Sequence, residues 1–246
     1  MILSVLFYII FLAFTLVYFV IMCVAFVLTV PFDRDRIVLH RLSRAWALCY
    51  FRAVPTWRLV VEGRENVDRK QAYVVVVNHR SMIDIILMYV LPLRNFKWVS
   101  KREVYKWPLF GWVLWMHGDV TIERGSASSV RQMMAGGSKW LGRGVSMVVF
   151  PEGSRSKTDN LGRCREGAFA LAKQAGVPIL PVVTLGTGSV LEKGGRLNFR
   201  NVYRVRILPP VSAEEVAAAD VKELTQKMYD LMSAEHEELK KELCVE

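Results

Sequence analysis

The stretch Tyr73–Leu91 has the sequence YVVVVNHRSMIDIILMYVL. Its first five residues are aromatic or β-branched, which predicts a buried strand over Tyr73–Val77. A helix is predicted over Ile83–Val90, because no turn residue interrupts that run. Ser81 and Asp84 resemble a capping box at its start, with Ser81 at the N-cap and Asp84 three residues later. The stretch therefore predicts a strand, a polar loop and a helix.

The polar loop carries a candidate catalytic pair. His79 lies between the strand and the helix, so its ring can fold back until Nδ1–H meets the Asp84 carboxylate. On one continuous helix, residues five apart would differ by about 140° and face away from each other. A ring held in this way leaves Nε2 free as a base that can take a proton from a hydroxyl. The alternative is that Asp84 only caps the helix and His79 is an incidental loop residue.

The rest of the chain alternates between strand-like and helix-like segments, which predicts an α/β fold with helices on both faces of the sheet. The further predicted strands are Trp57–Glu62, Phe96–Ser100, Asp119–Glu123, Val145–Phe150, Val177–Val183 and Tyr203–Leu208. The further predicted helices are Ser126–Leu141, Glu166–Ala175 and a C-terminal helical region that begins at Ser212. That C-terminal region carries an apolar stripe formed by Val221, Leu224, Met228, Leu231 and Met232.

The N-terminal region differs sharply in composition from the remainder of the chain. Residues 1–32 contain no charged side chain, and about 20 helical residues suffice to span a bilayer. No basic n-region precedes the run, which argues against a secretory signal. Residues 36–54 form a basic amphipathic helix that we predict to lie on the membrane; the alternative is an ordinary surface helix packed on the domain. We therefore predict two parts: residues 1–54 as membrane anchor and amphipathic helix, and residues 55–246 as the catalytic domain.

The overall charge limits the classes of partner. The net charge of +10 favours nucleic acid, anionic lipid or phosphorylated small molecules. Nucleic acid is not expected, because the basic residues are scattered and no module that reads bases is recognisable. The four cysteines are isolated and lack metal-ligand spacing, so we expect free thiols, a reducing compartment and no metal site. The arginines that follow the anchor predict that the domain lies on the cytoplasmic side.

An aromatic segment, residues 105–117, contains Trp107, Trp112 and Trp115. Core packing is the expected role for most of these side chains. The alternatives are that they line an acyl channel or lie at the lipid interface.

Three loops at the ends of predicted strands carry polar and basic residues. The first has His79 and Asp84, the second Arg124, and the third Glu152 and Arg155. Ligands of open α/β sheets bind beyond the carboxyl ends of the strands, so these loops can share one crevice. Two guanidinium groups suit a phosphate, although each arginine alone is also typical of a solvated surface.

Four segments in order resemble the motifs of the glycerolipid acyltransferases. They are Asn78-His79-x-Ser81-x-x-Asp84, Gly118–Arg124, FPEGSRS over Phe150–Ser156, and VPILPV over Val177–Val182. The resemblance covers about residues 56–208 and implies a mixed α/β sheet. Within the family, the length of the chain and its N-terminal anchor resemble those of the bacterial members that act on 1-acylglycerol-3-phosphate.

The resemblance implies transfer of an acyl group from a thioester, either acyl-CoA or acyl carrier protein, to the sn-2 hydroxyl of lysophosphatidic acid, which yields phosphatidic acid. The expected partners are lysophosphatidic acid, the acyl donor and membrane lipid. The resemblance also implies a location at the bacterial inner membrane and no further cofactor. The implied site residues are His79 as general base, Asp84 as the residue that orients it, and Arg124, Arg155, Lys101, Glu152, Gly153 and Ser81 as substrate contacts.

Departures from the family pattern leave alternatives open. Thr121, Glu123 and Ser154 differ from the residues usual at these positions, so a lyso-lipid with another head group is a second interpretation. A covalent hydrolase that uses Ser81 or Ser154 is a third, and a non-catalytic protein that binds anionic lipid is a fourth.

Overall fold

The computed structural model describes residues 1–123, 127–156, 158, 160–190 and 195–245. Its centre is a seven-stranded sheet with the strand order β1-β7-β6-β2-β5-β3-β4. All neighbouring strands run parallel except β6 and β7. The prediction of a mixed α/β sheet is confirmed. The strands are β1 (Arg58–Glu62), β2 (Val74–Val77), β3 (Phe96–Lys101), β4 (Val120–Ile122), β5 (Ser146–Val149), β6 (Ile179–Leu185) and β7 (Val202–Ile207).

The α-helices of the described residues largely follow the predicted pattern. The predicted helix over Ile83–Val90 is an α-helix only to Leu87, and its last turn is a 3₁₀ turn over Met88–Val90. Further 3₁₀ turns lie at Arg64–Asn66 and Arg102–Lys106. The α-helices are α1 (Ile2–Thr29), α2 (Ile37–Arg52), α3 (Ile83–Leu87), α4 (Phe110–His117), α5 (Ala127–Leu141), α6 (Gly167–Ala175), α7 (Ala213–Ala218) and α8 (Val221–Val245).

Strand β2 is buried from both sides, which makes it the axis of the fold. All four of its valines are inaccessible to solvent, and it pairs in parallel with β5 and β6. Val75 and Val77 face one core, and Val74 and Val76 face the other. A continuous run of β-branched residues is what a strand covered on both faces requires.

The two cores belong to two helical layers. On one face, Tyr50 and Phe51 of α2 pack with Tyr203 of the sheet and with residues of α3. On the other face, residues of α5, α6 and α8 pack together, with Phe169 and Met228 completely buried. The prediction of helices on both faces is confirmed.

Helix α2 does not lie on the membrane by its apolar side, as its amphipathic pattern had predicted. Leu39 and Ala47 are fully buried, and Tyr50 and Phe51 belong to a core that includes residues of the sheet. The apolar stripe therefore packs on protein, with Leu39 against α1 and α4 and the later residues against the sheet, as the alternative interpretation of a packed surface helix had it. This shared core crosses the proposed boundary at residue 54, and the division into two domains stays a prediction.

Helix α1 is 28 residues long and exposes most of its apolar side chains, including Ile2, Ile9 and Val27. By length and composition it can cross a membrane. Its inner side packs on α2, and Ser4 Oγ accepts a hydrogen bond from the Leu197 N–H at 3.1 Å. The helix is therefore packed on the rest of the protein along one side and uncovered on the other.

The aromatic segment is not a core element, and this prediction is wrong. The exposed fractions are 49% for Trp107, 58% for Trp112 and 66% for Trp115. Rings of α4 meet rings of α1, with centroid distances of 5.8 Å between Trp112 and Phe19 and 5.3 Å between Trp115 and Phe26. Helices α1 and α4 therefore form one continuous apolar surface.

The C-terminal helices begin as predicted, since Ser212 Oγ accepts a hydrogen bond from the Glu215 N–H at 3.2 Å. Leu224, Met228 and Met232 of α8 are buried. The stripe is narrower than predicted, because Leu231 is exposed.

Candidate active site

His79 and Asp84 meet where β2 ends and α3 begins. His79 Nδ1 lies 3.0 Å from Asp84 Oδ2, and the Asp84 side chain is completely buried. A carboxylate can only accept, so it selects the tautomer with the proton on Nδ1. Nε2 is left with a free lone pair. The pair predicted from the sequence is therefore brought together.

Asp84 also fixes the backbone of the loop. Its Oδ2 accepts hydrogen bonds from the N–H groups of Arg80 at 2.6 Å and Ser81 at 2.7 Å, in addition to the bond from His79. One buried oxygen thus holds both the ring and the turn that carries it. Hydrogen bonds to an ionised acceptor are short and strong, so the ring is placed before substrate arrives.

The predicted capping box forms only in part. The Asp84 carboxylate reaches back to the Ser81 N–H, as the motif requires, but Ser81 Oγ accepts from the Ile83 N–H at 3.3 Å rather than from that of Asp84. Met82 stands at the N-cap, so Ser81 is not the N-cap residue. The substrate contact assigned to Ser81 stays a prediction.

An aromatic stack that was not predicted from the sequence supports the imidazole ring. The rings of His79 and Phe150 are 3.9 Å apart at 16°, and Phe150 in turn stacks on Trp98 at 5.4 Å. One face of the imidazole is therefore covered. Phe150 is the first residue of the FPEGSRS motif. An aromatic residue next to this polar turn was the sequence feature that could have indicated a contact with the site.

Glu152 braces the histidine loop from the neighbouring strand end. Its carboxylate accepts hydrogen bonds from the His79 N–H at 2.7 Å and from the Gly162 N–H at 2.8 Å. Burial raises the pKa of the Glu152 carboxyl above its ordinary value, and the two N–H donors oppose that rise. Gly153 follows with a φ of +71°, a conformation that favours glycine in the turn. The role of both residues in binding glycerol stays a prediction.

Asn78 is a second residue of the site whose role was not predicted. Its Nδ2 donates to the Thr184 carbonyl at 2.9 Å, and its Oδ1 accepts from the Thr184 N–H at 2.7 Å. A buried carboxamide thus replaces backbone pairing where β2 and β6 end. It holds the base of the loop against the sheet.

The predicted basic residues that the structure describes follow the ends of two strands near this loop. Lys101 ends β3 and Arg155 follows β5, and both are exposed. Arg102 and Glu123 form an exposed ion pair at 3.2 Å across the ends of β3 and β4. Neighbouring strands are about 4.8 Å apart, so Lys101 lies about 10 Å from the end of β2. Arg124 lies outside the described residues, and its pairing with Arg155 stays a prediction.

Comparisons with known proteins agree with this geometry. A family model described as Acyltransferase matches residues 58–185, just over half of the chain. The chain is 34% identical over 175 residues to the chloroplastic 1-acyl-sn-glycerol-3-phosphate acyltransferase of Arabidopsis thaliana, covering 70% of this chain and 48% of that protein. It is 35% identical over 179 residues to 1-acyl-sn-glycerol-3-phosphate acyltransferase alpha of Homo sapiens, covering 71% of this chain and 62% of that protein. The chain therefore spans about half to three fifths of the length of these relatives.

A solved structure extends the likeness to the whole fold. The crystal structure of the 1-acyl-sn-glycerophosphate acyltransferase PlsC from Thermotoga maritima aligns with a TM-score of 0.76 and 25% sequence identity. The alignment covers 97% of each chain. The helices that precede the sheet are therefore part of the similarity, together with the sheet itself.

Proposed function

We propose that this chain, which belongs to the acyltransferase family, transfers an acyl group from a thioester to the sn-2 hydroxyl of 1-acyl-sn-glycerol-3-phosphate and so forms phosphatidic acid. The observation that carries the proposal is the buried Asp84 carboxylate, which holds the His79 ring with Nε2 free. The relatives named for this reaction support the choice of substrate.

We propose direct transfer without an acyl-enzyme. Nε2 of His79 takes the hydroxyl proton while that oxygen attacks the thioester carbon, and the ionised Asp84 stabilises the imidazolium that forms. The tetrahedral intermediate then collapses, so that the carbon–sulfur bond breaks and an ester bond remains. The proton passes from Nε2 to the departing thiolate, which returns the imidazole to its starting form. A positioned base of this kind contributes about 10²- to 10⁴-fold to the rate.

We assign the phosphate of the acceptor to the basic residues that follow strands β3, β4 and β5. Lys101 and Arg155 lie exposed beyond β3 and β5, and Arg124 follows β4 in the sequence. Guanidinium and ammonium groups bind phosphate oxygens through charge-assisted hydrogen bonds. The glycerol backbone then extends from these residues toward His79.

Helices α1 and α4 support a membrane location. Their apolar residues form one surface with exposed tryptophans, and tryptophan is enriched where protein meets the lipid head groups. Arg34 and Arg36 follow α1, which favours a cytoplasmic catalytic domain at the bacterial inner membrane. Lysophosphatidic acid is an amphiphile, so an enzyme held at the membrane receives it directly from the bilayer.

An assay of the purified chain tests the proposal. Phosphatidic acid is measured after incubation of lysophosphatidic acid with palmitoyl-CoA or palmitoyl-acyl carrier protein, with lysophosphatidylglycerol and lysophosphatidylethanolamine as rival acceptors. We expect lysophosphatidic acid to be the preferred acceptor, and His79→Ala to lose at least about 10²-fold in rate while it still sediments with liposomes. Near-normal turnover by His79→Ala contradicts the mechanism, and an acyl group trapped on Ser81 or Ser154 favours the hydrolase.

A further inference from the structure

The basic face of α2 is not used by the packing of that helix. Leu39 and Leu42 pack with residues of α1, and Phe51 packs in the core that includes the sheet. Arg41 lies about 160° around the helix from Leu39, at about 100° per residue. Arg44 is one turn further along on the same side. The arginines of α2 therefore point away from α1, and the fold gives them no evident role.

A pocket of about 220 Å³ lies on this basic face. Helix α2, the loop before β2 and the segment before β3 supply its lining residues, which are His40, Arg41, Arg44, Arg69, Leu93 and Arg94. Strands β2 and β3 each run parallel to β5, and His79 follows the end of β2. Because Arg69 and Arg94 precede these strands, the pocket lies at the opposite end of the sheet from His79. The length of β2 alone, about 13 Å, separates the two ends.

The arginines of this pocket have no counter-charge. In the part of the chain that the structure describes, none of the four side chains forms an ion pair or a hydrogen bond. At the same end of the sheet, by contrast, Arg143 is paired with Asp35. Burial, together with the charges of Arg69 and Arg64, lowers the pKa of Arg44. Like charges held together in this way repel each other, and an anion bound among them would remove that repulsion.

His40 adds a neutral hydrogen-bonding group to the wall of the pocket. Its side chain is buried, and its ring packs edge-on against Phe96 with the centroids 4.7 Å apart. Burial and the charges of nearby basic residues lower the pKa of His40 to about 3, so the imidazole is uncharged near neutral pH. Its Nδ1 has no hydrogen-bond partner. A buried polar atom without a partner is costly, and a ligand with an acceptor oxygen would satisfy it.

We propose that this pocket binds a phosphate group, as a second anion site that is separate from the phosphate contacts assigned near His79. Guanidinium groups bind phosphate oxygens bidentately, and the His40 Nδ1–H can donate to a further oxygen. Sites for drug-sized ligands measure about 300–1,000 Å³, so a pocket below this range suits a head group or a small phosphate compound. The site goes beyond the proposed acyl transfer, because its occupancy can be measured without turnover.

Calorimetric titration with inorganic diphosphate tests the site. The unaltered chain is compared with Arg44→Gln and with Arg131→Gln, a matched control at an exposed arginine of α5. Loss of a hydrogen bond to a charged group should raise the Kd of Arg44→Gln by at least about tenfold. Arg131→Gln should stay within about twofold of the unaltered chain. Arg155→Ala, which removes a predicted contact near His79, should also stay within about twofold.

Thermal unfolding separates loss of the site from loss of the fold. Arg44→Gln relieves repulsion between like charges, so its Tm without an anion should equal or exceed that of the unaltered chain. The rise in Tm that diphosphate causes in the unaltered chain should disappear in this variant. Arg69→Gln is a milder change, since Arg69 is exposed, and should weaken diphosphate binding about 3- to 10-fold.

Two results would overturn the site. The first is the absence of saturable diphosphate binding to the unaltered chain, or binding that neither Arg44→Gln nor Arg69→Gln weakens. The second is a loss confined to Arg155→Ala, because the anion would then lie among the contacts near His79.

Sedimentation with vesicles identifies the source of the phosphate. Vesicles of phosphatidylcholine are compared with vesicles that also contain phosphatidylglycerol. If Arg44→Gln loses the additional binding that phosphatidylglycerol provides, the pocket takes a lipid head group. If that additional binding is unchanged while diphosphate binding is lost, the pocket takes a soluble phosphate compound.

Discussion

Two regions of the same sheet edge are built in opposite ways. The first region, which we call the histidine corner, consists of His79, Asp84 and the loop between them. The Asp84 side chain there is completely buried, and its Oδ2 accepts three hydrogen bonds. At the basic rim beyond β3 and β4, the side chains of Arg102 and Glu123 are 70% and 51% exposed, and their ion pair is in contact with water. The first region is buried and is held by the hydrogen bonds to one carboxylate oxygen, and the second is open to solvent.

The difference reflects what each region must do. A general base has to be aligned to within fractions of an ångström, and a buried carboxylate with several donors provides that alignment. A phosphate is attracted over a longer range and tolerates mobile partners, which adjust when it binds. The corner should therefore determine the rate, and the rim should determine affinity. Substitutions in each region test this division, and the corner should give the largest effects.

Asp84→Asn should have the largest effect. The substitution keeps the shape but removes the negative charge that stabilises the imidazolium, so we expect kcat to fall about 10²- to 10⁴-fold. Asp230→Asn is the matched control, because Asp230 is exposed on α8. Initial rates of phosphatidic acid formation measure both. If Asp84→Asn retains more than a tenth of the activity, the corner is not the catalytic centre.

Glu152→Gln should have a smaller effect on the same corner. Both carboxylate oxygens accept from N–H groups, and a carboxamide would place an NH₂ group against one of these donors. The loss of a hydrogen bond to a charged group corresponds to about 1.5–3 kcal/mol, or roughly 10- to 100-fold in rate. A change in the KM for lysophosphatidic acid with kcat preserved would instead assign Glu152 to substrate binding.

Lys101→Ala should act on affinity. We expect the KM for lysophosphatidic acid to rise about 3- to 10-fold with kcat nearly unchanged, and the difference to shrink at high salt, because exposed charges are screened. Lys139→Ala, on the exposed side of α5, is the control. A fall in kcat without a change in KM would break the division between rim and corner.

Arg102→Gln should have the smallest effect. Exposed ion pairs contribute about 0–1 kcal/mol, so urea unfolding should give a stability within about 1 kcal/mol of the unaltered chain. A larger loss would mean that the rim is a structural element. Asp84→Asn should lose more stability than Arg102→Gln in the same urea unfolding assay, since it disturbs a buried set of hydrogen bonds.

The sheet was readable from the sequence because its signals are local. Val74–Val77 is a run of β-branched residues, and such runs identified every strand to within about two residues. The sequence did not show whether the apolar face of a helix packs on protein or faces lipid. The amphipathic pattern of α2 is the same whether it faces lipid or protein, and only the tertiary structure shows that Tyr50 and Phe51 pack on the sheet. The exposure of Trp112 and Trp115 was hidden for the same reason.

The contacts of the site that could be predicted are those between residues close together in the sequence. His79 and Asp84 are five residues apart, so their contact could be argued from one loop. The contacts of His79 with Phe150 and Glu152 join two strand ends about 70 residues apart, and no spacing rule reports them. Lys97 gives a similar lesson: it is completely buried, with Nζ 5.0 Å from the Trp140 ring, although its sequence context is that of an ordinary strand residue.

The central claim is that His79 and Asp84 act as one unit, and a double-mutant cycle on kcat/KM tests it most directly. The rates of His79→Ala, Asp84→Asn and the double variant are compared with that of the unaltered chain under one set of lipid and donor conditions. We predict that the double variant is no slower than His79→Ala by more than about threefold, because an aspartate with no imidazole to orient contributes little further. If the two losses multiply, the residues act independently and the account is contradicted.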